Sequence, residues 1–160
     1  MRLVIAAVGR LKSGPEADLV REYAARIKAS GRGLGIADFS LLEVEAQRGL
    51  DGAVRTAREG ELLAAAAPSS ARRIVLDERG QSLSSEAFAR LIARWRDQGA
   101  PAACFFIGGA DGLSPSLRDS ADATVAFGRA TWPHMLVRAM LCEQIYRAMT
   151  ILAGHPYHRA

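Results

Sequence analysis

The side chains best suited to chemistry crowd toward the carboxyl end of this chain. Gly154-His155-Pro156-Tyr157-His158-Arg159 sets two imidazoles, a phenol and a guanidinium around a rigidifying proline. Such groups stack on bases, exchange protons near neutral pH and hold phosphate. Upstream, Gly108-Gly109-Ala110-Asp111-Gly112 follows the apolar run Cys104-Phe105-Phe106-Ile107. A strand followed by glycines admits either a nucleotide cradle or a plain structural turn. The pattern is GGxxG rather than GxGxxG, and Phe127 and Gly128 stand where an acidic residue should end the next strand, which excludes the usual dinucleotide site. Gly9 to Gly14 leads into Pro15 rather than Lys and Ser or Thr, so a P-loop is excluded too. His155 and His158 have HxxH spacing, but Gly154 and Pro156 break any helix that could align them, and no metal site is expected. His134, directly after Pro133, reads as a polar contact at a helix start, and Glu143 with Arg147 as an i,i+4 helix pair. Read from the residues alone, this is an anion- or nucleotide-binding site.

Alternating strands and helices must position these groups. Leu3 to Val8 is a short apolar strand closed by Gly9. Ser13-Gly14-Pro15-Glu16 opens a helix carrying Leu19, Tyr23 and Ile27 at helical spacing, and the glycine-rich Ser30 to Gly35 ends it. Phe39 to Val44 is a second strand. Residues 49–67 form a helix weakened by Gly52 and Gly60 and stopped by Pro68. Arg73 to Leu76 is a third strand with Asp77-Glu78-Arg79-Gly80 as its closing turn, and Ser84 or Ser85 then opens an amphipathic helix burying Phe88, Leu91, Ile92 and Trp95. A strand over 102–107, a short helix near 115–120 and a strand over 123–127 follow. After the loop Gly128 to Trp132, Pro133 opens a helix to about Ala153. That last helix is apolar nearly all round. It must thread through the fold or pack on a second copy, and a homodimer is expected.

The order of elements gives an α/β fold with a mostly parallel sheet of about five strands. Loops at the carboxyl ends of such strands are where open α/β sheets bind small molecules. With 160 residues the chain has the length of one domain. Its formal charge of +4, mostly from arginine, favours an anionic partner. Cys104 and Cys142, far apart and in no ligand spacing, read as buried free thiols. No signal-peptide pattern opens the chain and no apolar run has a membrane span's length, so a cytoplasmic protein is expected.

Four segments in this order and at these distances carry a resemblance: Ile107-Gly108-Gly109-Ala110-Asp111-Gly112-Leu113-Ser114, Trp132-Pro133-His134-Met135-Leu136-Val137-Arg138, Glu143-Gln144-Ile145-Tyr146-Arg147-Ala148 and His155-Pro156-Tyr157-His158-Arg159. Together they resemble the small bacterial methyltransferases of the SPOUT class that modify N3 of a pseudouridine in 23S rRNA. The likeness spans essentially the whole chain. It implies a five- to six-stranded sheet with a deep trefoil knot over approximately residues 74–160, S-adenosyl-L-methionine as cofactor, no metal, and a homodimer. The implied target is pseudouridine 1915 in helix 69 of 23S rRNA, methylated in the assembled ribosome. Matched position by position, the cofactor contacts are Leu76, Gly108 and the loop Phe127-Gly128-Arg129-Ala130-Thr131-Trp132. Tyr157, His158 and Arg159 are the expected catalytic group, with His158 taking or orienting a proton, and His134 and Arg138 are expected at the substrate. Ala110-Asp111 and Gly128-Arg129 depart from the family's common residues.

Overall fold

The computed structural model describes residues 1–157. Five strands form one parallel sheet, β1 (Arg2–Val8), β2 (Asp38–Val44), β3 (Arg72–Ser82), β4 (Ala102–Ile107) and β5 (Ala123–Ala126), in the order β2-β1-β4-β3-β5. The α-helices α1 (Pro15–Gly31), α2 (Gly52–Ala66), α3 (Ser85–Asp97) and α4 (Pro115–Asp119) connect them, and α5 (His134–Leu152) follows β5.

Strand alternation divides the core in two. On β1, Leu3, Ile5 and Ala7 face one side while Val4, Ala6 and Val8 face the other, and on β4 Ala103, Phe105 and Ile107 oppose Cys104 and Phe106. The first side is covered by Ile27 of α1, Phe88, Ile92 and Trp95 of α3, and Leu141, Cys142 and Ile145 of α5. The second is covered by Leu63 of α2 and Leu117 of α4. Central parallel strands buried on both faces read as continuous apolar runs, which is why β1 and β4 stand out in the sequence. Each large side chain so buried contributes roughly 1.5–3 kcal/mol, enough to fix the register Arg2↔Asp38 through Val8↔Val44 and Arg2↔Ala102 through Ala7↔Ile107.

The helix starts follow local chemistry. Pro15 sits at the first position of α1, and the Asp51, Ser84 and Ser114 side chains accept from Val54, Ala87 and Leu117 N–H to cap α2, α3 and α4. The α2 helix forms despite its glycines. Gly60 is where α4 approaches, and a Cβ there would lie 2.2 Å from Ser114 Oγ. Helix propensity gives way to close helix contact at that position.

One expected boundary is corrected. Asp77 to Gly80 does not end the third strand, because β3 continues to Ser82. Val125 of β5 pairs with both Leu76 and Gln81, so residues 77–80 leave the ladder as a bulge and return to the same partner. The strand past the bulge closes onto β5 so tightly that a Cβ on Gly80 would lie 2.7 Å from Thr124 and Val125 backbone atoms.

No residue of α5 is fully exposed, and the helix packs against both α1 and α3. Ala139, Cys142 and Met149 of its expected face are buried, with Met135 and Tyr146 at its margin. Cys104 and Cys142 are free and buried, and desolvation pushes both thiols up to about 12. Among the described residues no helix is long and apolar enough to cross a membrane.

Candidate cofactor and substrate site

The bulge of β3, the carboxyl ends of β4 and β5 and the start of α5 enclose a cavity of about 350 Å³. Its walls are Leu76 to Arg79 of the β3 bulge, Ile107 to Leu113 of the glycine turn, Arg118 of α4, Val125 to Gly128, Ala130 to Trp132, and His134 and Val137 of α5. Of the cofactor residues expected from sequence, Leu76, Gly108, Phe127, Gly128, Ala130, Thr131 and Trp132 therefore meet around one space. Arg129 is exposed and does not line it.

The glycine turn is built by contact as much as by sequence. Gly112 N–H donates to the Gly109 carbonyl at 3.1 Å, and a Cβ on Gly108 would stand 2.4 Å from the Gly112 oxygen. Only a glycine lets the two ends of the turn close this far. Asp111 ties the turn to α2, its carboxylate accepting from Arg55 Nε at 2.6 Å. Across the cavity, Trp132 Nε1 donates to the Phe127 carbonyl at 3.0 Å and closes the 127–132 loop on itself.

His134 faces the cavity, partly buried. Burial, reinforced by the nearby Arg138 charge and opposed by Glu59, holds its imidazole below its ordinary pKa. The ring is neutral at pH 7 and offers an acceptor nitrogen to whatever enters. Because the folded protein resists a proton that the unfolded chain accepts, stability contributed by neutral His134 is present above the ordinary histidine pKa of 6.5 and is lost as pH falls below it. Urea denaturation at pH 7.5 and 5.5 should therefore show a smaller acid loss in His134→Gln than in the wild type. Equal losses in the two proteins would show that His134 is not the source.

Arg138, expected at the substrate, has no exposed surface. Its Nη1 donates to Glu43 Oε1 at 3.0 Å and its Nη2 to the Val8 carbonyl, while Glu43 Oε1 also accepts from Leu11 N–H at 2.7 Å. The guanidinium thus joins α5 to the carboxyl ends of β1 and β2, and it does not line the cavity. Burial lowers its pKa, and the Glu43 charge opposes that shift.

Tyr157 also stands apart from the cavity. Its hydroxyl donates to Glu143 Oε1 at 3.2 Å, its ring meets Tyr146 edge-on at 4.9 Å between centroids, and the Arg147 guanidinium lies over it at 5.0 Å. Glu143 is nine residues beyond His134 on α5, about 14 Å along the helix axis. Desolvation, with contributions from Tyr23 and Glu143, pushes the phenol up to about 12. It is a proton donor at neutral pH rather than an acceptor. His158 and Arg159 lie outside the described residues.

The sequence reading did not place Asp77, Arg79 or Arg118 at this cavity, or Glu59 beneath its glycine turn. Asp77 and Arg79 reach the cavity because of the β3 bulge, which no local pattern announces. Glu59 of α2 is buried beneath the glycine turn, its Oε1 accepting from Gln47 N–H at 3.0 Å and its Oε2 pressed toward Gly109. Among the described residues, Glu59 Oε2 and Arg138 Nε are the buried side-chain atoms without a hydrogen-bond partner. A polar residue on the inward face of an amphipathic helix is the only signal that pointed to Glu59.

The family model described as "Predicted SPOUT methyltransferase" matches residues 1–158. The chain belongs to the SPOUT methyltransferase family. It is 60% identical over 159 residues to a protein named "Ribosomal RNA large subunit methyltransferase H" from Paracoccus denitrificans, covering 99% of each chain. It is 54% identical over 160 residues to a protein of the same name from Bradyrhizobium diazoefficiens, covering 100% of each. A solved structure of a probable methylase family protein from Haemophilus influenzae shares the fold at a TM-score of 0.51 and 9% identity, over 99% of this chain and 70% of that one.

Proposed function

We propose that the protein is an S-adenosyl-L-methionine-dependent methyltransferase of large-subunit ribosomal RNA, acting in the cytoplasm as a homodimer. Its target on this reading is N3 of the helix 69 pseudouridine of 23S rRNA in the assembled ribosome. The observation that carries the reading is that a chain matched end to end by relatives of that name has Leu76, Gly108, Phe127, Gly128 and residues 130–132 around one cavity. The finer target rests on the resemblance of the four carboxyl-terminal segments.

The cavity fits the cofactor. Its volume is in the range of small-molecule sites, Leu76, Ile107, Val125 and Trp132 supply apolar walls, and the turn closed at Gly108 is a cradle that a side chain would fill. Leu76, Gly108 and the 127–132 loop would hold the adenosine portion, largely through backbone groups. The bound cofactor supplies an electrophilic methyl group. The chain must bring the target nitrogen into line with it, remove the nitrogen's proton and stabilise the imidate anion that attacks the methyl. His134 offers a neutral imidazole on the cavity wall. In this reading His158 and Arg159 add a proton acceptor and a cation, and Tyr157 a donor or a stacking ring.

A groove of about 570 Å³ supports the homodimer. Leu19 and Tyr23 of α1 and Leu136 and Met140 of α5 line it, and Leu19 is 44% exposed. Val125 to Gly128 separate this groove from the cavity, so a second copy seated there would lie against the cofactor loop. Tyr157, held away from its own chain's cavity, is compatible with a site closed by a partner's tail. The same reading takes approximately residues 74–160 as the knot within one domain, with β5 outside β3 and α5 returning to pack on α1 and α3.

Labelled S-adenosylmethionine, incubated with the protein and with either ribosomes lacking this methylation or free 23S rRNA, tests the assignment. Label on N3 of the helix 69 pseudouridine in ribosomes alone is the expected result, with a large loss in His158→Ala. Cofactor binding without label on either substrate would replace this reading with a non-catalytic RNA-binding dimer or another RNA target.

A further inference from the structure

Most charges around the cavity are already committed or lie in solvent. Asp111 is tied to Arg55, and Arg79 is 69% exposed. Asp77 and Arg118 differ. Their side chains are 9% and 25% exposed, and both line the cavity. Arg118 Nη1 donates to the Leu113 carbonyl at 3.0 Å but stands 3.5 Å from Asp77 Oδ2, a loose approach for an ion pair. Among the described residues its Nε and Nη2 make no hydrogen bond to protein. Asp77 Oδ1 accepts from the Arg79 N–H at 3.0 Å, its one hydrogen bond among the described residues, with Arg79 Nε at ion-pair distance, 3.8 Å. Asp77 is thus largely shielded from water and Arg118 partly so, and among the described residues both keep hydrogen-bonding capacity unused.

We infer that Asp77 and Arg118 form the subsite for the amino-acid end of the methyl donor, Arg118 receiving its α-carboxylate and Asp77 its α-ammonium. A zwitterion with both charges on one carbon matches a pair of opposite charges a few ångströms apart, and the planar fork of arginine suits a carboxylate. The placement agrees with the rest of the cavity. Arg118 comes from α4 on one face of the sheet, whereas Trp132 and His134 come from the loop that enters α5 and from its first residue, and α5 packs on the other face. A ligand whose adenosine lies against the 127–132 loop would extend its chain toward Asp77 and Arg118. This inference rests on the S-adenosylmethionine reading of the cavity.

Calorimetric titration with S-adenosylhomocysteine and 5′-methylthioadenosine separates the two ideas, since these thioethers share the nucleoside and differ by the amino-acid chain. Failure of the wild type to bind either ligand would sink the cofactor reading itself. If both bind, Arg118→Gln and Asp77→Asn should each weaken S-adenosylhomocysteine by about 10- to 100-fold and leave 5′-methylthioadenosine unchanged. Equal weakening of both ligands, or of neither, would overturn the subsite. Should the variants fail to fold, decarboxylated S-adenosylmethionine on the wild type gives the ligand-side test. It should bind about tenfold or more weakly than S-adenosylmethionine, and equal affinity would overturn the carboxylate contact to Arg118.

Discussion

Replacing Glu43 by leucine is expected to lower the unfolding free energy by about 3–5 kcal/mol, more than replacing its partner Arg138 by leucine. The two sides of this ion pair are unequally buried. Arg138 has no exposed side-chain surface, whereas Glu43 keeps 26%. Without Glu43, the guanidinium is left in the interior with the Val8 carbonyl as its remaining partner, and an uncompensated buried charge is costly. Without Arg138, Glu43 can turn toward water and keep its bond to the Leu11 N–H. The Val8 carbonyl then loses its side-chain donor, at about 1–3 kcal/mol. Urea denaturation with an unchanged m-value would measure both. A larger loss in Arg138→Leu than in Glu43→Leu would show that the guanidinium's packing, rather than its charge, holds α5 to the sheet.

That pair also shows where sequence reasoning stops. An arginine within a helix next to a site reads as a contact for an anionic substrate, and nothing local to residue 138 points to an acidic partner 95 positions away. Legible features are those whose cause is local. The apolar runs of β1 and β4, the serine that opens the helix near 84, and the amphipathic pattern of α3 each reflect forces within a few residues. The strand order was not legible, because the insertion of β4 between β1 and β3 is decided by long-range pairing. For the same reason Asp77 to Gly80 read as a turn. Its residues do favour one, and only the shared pairing with Val125 turns it into a bulge that delivers Asp77 to the cavity. The residues around the cavity were reached by resemblance across separated segments, which records three-dimensional proximity that a single segment cannot. Tyr157 was reached by that route too, and in its own chain it is surrounded by Glu143, Tyr146 and Arg147 and lies outside the cavity lining.

Gly108→Ala is expected to weaken S-adenosylhomocysteine binding by about 100-fold while the fold survives. The new methyl would sit 2.4 Å from the Gly112 oxygen, 2.5 Å from its carbonyl carbon and 3.0 Å from Leu113 N. These are backbone atoms, so no side-chain rotation relieves the clash. Ordinary van der Waals separation is about 3.5–4.0 Å, and the turn must therefore open by roughly 1 Å. The strain falls on the bond from Gly112 N–H to the Gly109 carbonyl and on the wall that Gly108 to Leu113 give the cavity. Displacements of that size at a positioned group cost on the order of two decades. Gly112→Ala is the control. Gly112 has a φ of 79°, so a side chain there is strained by about 1–2 kcal/mol, but a Cβ would meet nothing within 4 Å and the wall keeps its shape. Its effect should fall mainly on stability. If Gly108→Ala bound S-adenosylhomocysteine within about threefold of the wild type, the glycine turn would be a connection between β4 and α4 and not part of the cofactor cradle.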